Sequence, residues 1–456
     1  MATILRGGTI VTGTDYYQSD VRIEGEKIVA IGSGVATVED AILQVDGCYL
    51  FPGGIDVHTH FALPVGNMVT ADDFGSGTKA AIMGGTTTII DYATQFKGES
   101  LKEALGNWHK KAQGQCYADY GFHMAITDWN EGIAQEISWL AQEAGVTSIK
   151  LYMAYKNILQ VDDSVLFQAL ERSKQYGVLL CLHCENGDMI HNLVNQYLRN
   201  GQVTPNYHPL SRPVIAEKEA VTRAIALAEV LGAPIYVVHL SCYEALEVVA
   251  DAKRRGVTVF AETCPQYLLL DESYYEGSFT SAKYVISPPL RSKGNQEKLW
   301  RGLRAGILDT VATDHCSFNF QGQKTQGRND FSKIPNGMPG VENRLGLLYT
   351  YGVVPGKISL NQFVNITAAH PAKILGLFPQ KGTIAPGSDG DIVVWNPKAE
   401  SIITAKEQYQ RVDYSPYEGF KQIGKVEHVF LRGQHIVCNS ILCNEPKGRY
   451  ISRKSF

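Results

Sequence analysis

Three regimes of apolar spacing divide the chain. Over residues 1–50, apolar and polar positions alternate in short runs such as Thr9-Ile10-Val11-Thr12 and Val21-Arg22-Ile23-Glu24. A period of two predicts strands, and Gly25-Glu26-Lys27 predicts a hairpin turn into Ile28-Val29-Ala30-Ile31. From residue 51, apolar runs alternate with stripes at helical spacing. Runs at 55–60, 86–92, 117–125, 148–152, 178–183, 235–240, 257–263 and 308–314 predict eight strands. Stripes such as Leu101, Leu105, Trp108 and Ala112, or Ile133, Ile137, Leu140 and Ala144, predict helices between them. Thr70-Ala71-Asp72-Asp73 predicts a capping box for a helix that stops at Gly84-Gly85. Near residue 383 the helical period disappears, and 390–395 and 426–431 again predict strands.

Strands alternating with helices argue for parallel βαβ units, and eight of them for a closed (β/α)8 barrel, an α/β fold of the TIM type. An open doubly wound sheet is the weaker alternative, because no GxGxxG follows the first strand. The most economical organisation joins residues 1–50 and 383–440 into one small β domain, with the barrel, 51–382, inserted between its halves. Residues 441–456 then form a short polar tail to which the sequence assigns no role.

Composition narrows the function. Hydrophobic residues at 44% and charged residues at 19% are ordinary for a globular chain. Forty-two Lys and Arg against 46 Asp and Glu leave a formal net charge of -4, so no basic field calls for nucleic acid or a membrane surface. No run approaches the length of a membrane span, and the first residues lack the apolar core of a signal peptide. Nine cysteines, an odd number, do not make a disulfide framework, and a reducing cytoplasm is the simplest expectation.

Ligand-type residues gather at the C-terminal ends of the predicted strands. The first run ends His58-Thr59-His60. Positions i and i+2 of a strand face the same way, so both imidazoles would meet at the catalytic end of a barrel. Asp56 shares their parity and is a candidate to orient one ring. His183, His239 and Asp314 end the fifth, sixth and eighth runs. Each histidine alone also suits a hydrogen-bonded core position. Together, four imidazoles and a carboxylate suit two borderline divalent cations, zinc foremost. Lys150, on the fourth run, is costly inside a barrel unless paired or modified. A salt bridge and an amine carboxylated by carbon dioxide both answer that cost. Cys181-Leu182-His183-Cys184 holds a lone CxxC that reads as two buried small side chains. His208 and His315 receive no assignment.

The runs 51–60 (FPGGIDVHTH), Ser148-Ile149-Lys150 with Met153-Ala154-Tyr155-Lys156, and His183-Cys184-Glu185-Asn186-Gly187-Asp188 resemble the hydantoinase/dihydropyrimidinase family. So do Val238-His239-Leu240-Ser241, Glu262-Thr263-Cys264-Pro265, Ser287-Pro288-Pro289-Leu290-Arg291, Thr313-Asp314-His315-Cys316 and Pro335-Asn336-Gly337, in order over nearly the whole chain. Within that family the sequence is most similar to the bacterial D-hydantoinases. The resemblance implies a distorted barrel with a small β-sandwich and a binuclear centre. His58 and His60 would hold the more buried metal with Asp314, and His183 and His239 the more exposed one. Carboxylated Lys150 would bridge them. The metal is usually zinc, with manganese, iron and cobalt also tolerated by such ligands. Tyr155 would stabilise the oxyanion, and backbone groups of Ser287 and Asn336 would hold the ring's amide edge. Asp314 would take the proton of the attacking water and return it to the leaving nitrogen. A cytoplasmic homo-oligomer, tetramer or dimer, is also implied, acting on a small cyclic amide or imide.

The substrate is narrowed by Phe61 and Ala62, which follow His60 where a relative acting on dihydroorotate would place an arginine for the substrate carboxylate. Leu63-Pro64-Val65, Phe96, Tyr152 and Leu159 are expected to give the mouth an apolar lining. A 5-substituted hydantoin with an aromatic or apolar substituent, opened to an N-carbamoyl amino acid, fits best. D selectivity rests on the resemblance alone. A dihydropyrimidine, one ring atom larger, is the alternative, and polar allantoin fits less well. A scaffold without activity would lack several of the six candidate ligands, and all six are present.

Overall fold

The computed structural model describes residues 2–455. Eight parallel strands lie side by side in chain order: β1 (Gly54–Thr59), β2 (Thr86–Thr94), β3 (Asp119–Ala125), β4 (Ser148–Tyr152), β5 (Leu179–His183), β6 (Ile235–Val237), β7 (Val259–Thr263) and β8 (Thr310–Val311). These are the eight predicted runs, with β6 and β8 shortened. They read as near-continuous apolar stretches because both faces are covered. Ile89, Ile149, Leu180 and Ile235 on the strands share one core with Leu105, Ile137, Leu170 and Val221 on the helices.

The barrel closes at its mouth. Among the described residues no ladder joins β8 to β1; instead Thr59 and His315 form a parallel bridge. The His60 N–H donates to the His315 carbonyl at 2.9 Å, and His315 N–H to the His58 carbonyl at 3.3 Å. Asp56 fastens the same seam: it accepts from Thr313 N–H at 3.1 Å and from the Thr313 hydroxyl at 2.7 Å. Asp56 is therefore a strand fastener, and the expectation that it orients a histidine ring is corrected.

The first barrel helix, Phe74–Met83, stops at Gly84 as expected. Its capping box pairs Asp73 with Ser76, one turn later than predicted, because the Thr70 hydroxyl is already taken by Leu63 N–H at 3.0 Å. The turn before β2 depends on Gly85 at φ +85, where a Cβ would press on Leu345, Val426 and Val393.

The two chain ends build a β-sandwich. In one sheet the strand Tyr49–Pro52 lies between Thr9–Val11 and Ile392–Ile402. The other sheet holds Thr3–Arg6, Val21–Glu24, Lys27–Ile31 and Ala41–Gln44. Leu5, Ile23, Leu50, Ile392 and Phe430 fill the space between. Sandwich and barrel are riveted by a buried ion cluster. Lys381 Nζ reaches Asp119 at 2.8 Å, Asp391 at 2.6 Å and Asp389 at 3.1 Å, while Arg432 also pairs with Asp119.

Two features lie outside the expectations. Cys438 and Cys443 are joined as a disulfide across the tight turn between Gln434–Cys438 and Ile441–Leu442. The other seven cysteines, Cys181 and Cys184 among them, are free and buried. Nor is the C-terminal segment a loose tail. Ile451 N–H donates to Tyr120 O at 2.8 Å and the Tyr450 hydroxyl to Ala144 O at 2.6 Å. Buried Arg453 donates to Phe122 O and, at 2.9 Å, to the Ser148 hydroxyl, so it plugs the N-terminal floor of the barrel. Among the described residues no helix is long and apolar enough to cross a membrane.

Candidate metal centre and active site

All six candidate ligands meet at the C-terminal mouth, on the floor of a cavity of about 690 Å³. β1 and the residue that follows it deliver the first two. His58 Nε2 lies 3.1 Å from Asp314 Oδ1, and His60 Nε2 lies 3.3 Å from the same oxygen. Across the floor, His183 Nδ1 and His239 Nε2 stand 2.9 Å apart. Ligand atoms of His58, His239 and Asp314 all fall within 4.8 Å of one another. Lys150 lines the same cavity, 1% exposed, with its amine 4.6 Å from the centre of the Tyr92 ring and 5.1 Å from that of Tyr152.

Backbone strain accompanies this convergence. Tyr155 (φ 65), His239 (φ 38) and Asp314 (φ 51) adopt left-handed conformations that are unfavourable for side chains of this size. Such strain persists only where surrounding structure enforces it, and it clusters at working sites. For Tyr155 the enforcement is a tight turn: its carbonyl accepts from Ile158 and Leu159 N–H, both at 3.0 Å.

Carboxylates behind the site orient the rings. Glu262 Oε1 accepts from His58 Nδ1 at 2.7 Å and from His239 N–H at 3.0 Å, while its other oxygen accepts from the Tyr236 hydroxyl at 2.9 Å. Glu185 lies 2.8 Å from His183 Nε2 and accepts from Arg212 at 2.7 Å. Holding the far nitrogen of an imidazole in this way fixes its tautomer and aims the near nitrogen. His315 is not in the ligand set: Asp72 holds its Nε2 at 3.0 Å, and its Nδ1 accepts from Gly340 N–H at 3.1 Å. His208 lies outside the site and donates to Ile286 O at 2.6 Å.

The electrostatics suit a cation. Burial opposes a proton on His58, yet Asp314 and Glu262 hold its pKa up at about 9. The pocket thus attracts positive charge even where desolvation resists it. Burial pushes the Lys150 ammonium toward its neutral form, and pulls His60 down to about 4. A neutral His60, an unprotonated Lys150 and an ionised Asp314 are states that divalent metals require of their ligands, and a bound cation would replace the proton that His58 otherwise holds. His60 Nδ1 and His239 Nδ1 are buried without a hydrogen-bond partner among the described residues. The residues fit a two-metal centre.

Above the floor, Tyr155 faces Ser287 and Asn336, and Asn336 Nδ2 donates to the Ser287 hydroxyl at 2.8 Å. Burial raises the Tyr155 phenol, against the pull of the nearby Arg212 guanidinium. Leu63, Val65, Tyr152, Ile158 and Leu159 line the mouth. Phe96, expected there, instead packs on Trp108 with ring centres 6.2 Å apart.

A barrel that carries HxH, a buried lysine, two further histidines and an aspartate on its strand ends defines a class, and the model of the amidohydrolase family matches residues 49–436. The chain belongs to the amidohydrolase family. Within it the chain stands with the hydantoinases. It is 47% identical to a D-hydantoinase of Geobacillus stearothermophilus, covering 100% of this chain and 97% of that protein. It is 41% identical to a D-phenylhydantoinase of Escherichia coli O1:K1 / APEC, covering 100% and 99%. The crystal structure of a dihydropyrimidinase from Brevibacillus agri NCHU1002 superposes with a TM-score of 0.99 at 49% identity, covering 100% and 99%.

Proposed function

We propose that this enzyme hydrolyses the ring amide of 5-substituted hydantoins to N-carbamoyl amino acids, favouring D substrates with aromatic or apolar substituents. The observation that carries this reading is six ligand-type side chains on the floor of a pocket whose mouth is lined by Leu63, Val65, Ile158 and Leu159. A hydantoin's 5-substituent would sit among those side chains, and its polar ring would face the floor.

In this reading His58, His60 and Asp314 would hold one divalent cation and His183 and His239 a second, and carboxylated Lys150 would serve both. Zinc suits the donor set best. A neutral Lys150 amine adds to carbon dioxide and releases a proton, which leaves an anionic carbamate. When bound, the two ions supply Lewis acidity for water and for the ring carbonyl. Asp314, aimed by its strained backbone, takes the proton of the attacking water and passes it to the departing ring nitrogen. Tyr155 donates to the oxygen that becomes negative in the transition state. Backbone groups of Ser287 and Asn336 bind the amide edge of the ring and orient it. A cytoplasmic homo-oligomer completes the proposal, checked by sedimentation.

The test is ring opening of racemic 5-phenylhydantoin beside dihydrouracil, after loading with zinc and bicarbonate, with enantiomers resolved by chiral chromatography. Fast opening of the D-aryl hydantoin with slow dihydrouracil turnover is expected. Preference for dihydrouracil would make the enzyme a dihydropyrimidinase, and turnover of neither would overturn the substrate assignment.

A further inference from the structure

Lys324 is fully buried beneath the active-site wall and faces two carbonyls rather than a carboxylate. Its Nζ donates to Val285 O and to Pro335 O, each at 3.0 Å. Those carbonyls belong to the two loops that carry Ser287 and Asn336, which both line the pocket. Two further bonds join the same loops: Gly337 N–H to Val285 O at 3.0 Å, and Asn336 Nδ2 to the Ser287 hydroxyl at 2.8 Å. Lys324 stands on a short helical turn, Lys324–Gly327, pressed against the second loop. A Cβ at Gly327 would fall 2.2 Å from Ile334 Cγ1, so the turn has no room to withdraw.

An ammonium buried beside dipoles alone is an expensive way to join two loops. Its desolvation shows in a pKa pulled down to about 7. A lysine nevertheless has what the position demands: a long stem and several donors on one atom, able to serve two backbones at once.

We propose that Lys324 is a positioning residue for substrate recognition, setting the spacing of the Ser287 and Asn336 backbones that grip the amide edge of the ring. The proposal rests on the hydantoinase reading above. It places Lys324 behind the binding edge and away from the reacting atoms, so its loss should weaken binding and leave the chemical step nearly intact.

The experiment compares wild type, Lys324→Met and Lys324→Gln as full-length, metal-loaded proteins. Three quantities are read: kcat and KM for 5-phenylhydantoin, metal content, and competition by hydantoin against its 1-methyl and 3-methyl analogues. Lys324→Met should raise KM about tenfold with kcat within about twofold, the expected pattern for lost ground-state binding. Metal content should not change, and discrimination against the methylated rings should fall several-fold. Lys324→Gln keeps two N–H donors on a shorter stem and should fall between. If Lys324→Met does not fold, Lys324→Gln is read by the same criteria. Wild-type KM and discrimination in a folded variant would overturn the proposal. So would loss of metal, which would put the effect in the metal centre. A wild-type enzyme that neither binds nor opens any hydantoin sinks the parent reading and this one together, whereas a working wild type matched by its variants sinks only this one.

Discussion

At the scale of single residues, the site depends on side chains held in conformations they would not choose. The left-handed backbone of Tyr155 (φ 65) is enforced by the turn through Leu159, and its ring lies 5.2 Å from that of His183. Tyr155→Phe keeps the ring and its packing and removes one donor. We expect kcat to fall by about 100-fold or more with a smaller change in KM, the signature of a bond made mainly in the transition state. Steady-state kinetics on 5-phenylhydantoin decide it, and an unchanged kcat would exclude Tyr155 from oxyanion binding. The six candidate ligands were legible because strand ends are where a barrel works and because histidine and lysine are conspicuous in apolar runs. Their supports were less so. Glu262 does carry a signal, a lone acid inside the apolar strand β7, but nothing in the spacing says that it meets His58 from across the barrel. Arg212 lies far from Glu185 in sequence and carries no local mark.

At the scale of elements, the eight strands and their helices follow from periodicity, whereas seams and short turns do not. β8 has two residues in its ladder, and several pieces between β7 and the sandwich are single helical turns, too short for a period to register. Side chains do the joining there. Buried Asp91, on β2, accepts from the Thr59 hydroxyl at 2.7 Å and from Phe61 N–H at 2.9 Å, which pins the end of β1. Burial lifts its carboxyl to about 7, against those bonds. The folded chain therefore keeps a proton that the unfolded chain, at an ordinary 3.8, gives up. Stability from this group is present below the unfolded value and is lost as pH rises through about 7. Asp91→Asn should flatten that part of the profile. Urea midpoints at pH 5 and pH 8, with metal removed by chelator, should move less in the variant, and an identical difference would refute the assignment.

At the scale of the whole molecule, alternation of strand and helix announces the barrel, and the return of period two near residue 383 announces the sandwich. The rivet between them could not be read, because Asp119, Lys381, Asp389, Asp391 and Arg432 come from distant segments. The three carboxylates alone are spaced for a cation, and the Lys381 ammonium occupies that position. Lys381→Met would leave them buried and facing one another. Breaking a buried network in this way costs about 3–5 kcal/mol, so calorimetry should show a clearly lowered Tm. A Tm within a degree or two of wild type would mean that the cluster is dispensable.

The Arg453 plug gives the molecule a timetable. Every strand of the barrel and every candidate ligand has been made by residue 314, yet the donor that seals Phe122 and Ser148 lies at 453. A chain made as far as residue 314 thus holds all eight strands and all six candidate ligands, but neither Asn336 nor the seal. The side chain that fills the underside of the barrel is therefore among the last to be synthesised. A cut near exposed Lys447 would leave all six candidate ligands on one piece and the seal on the other, held by its own contacts alone.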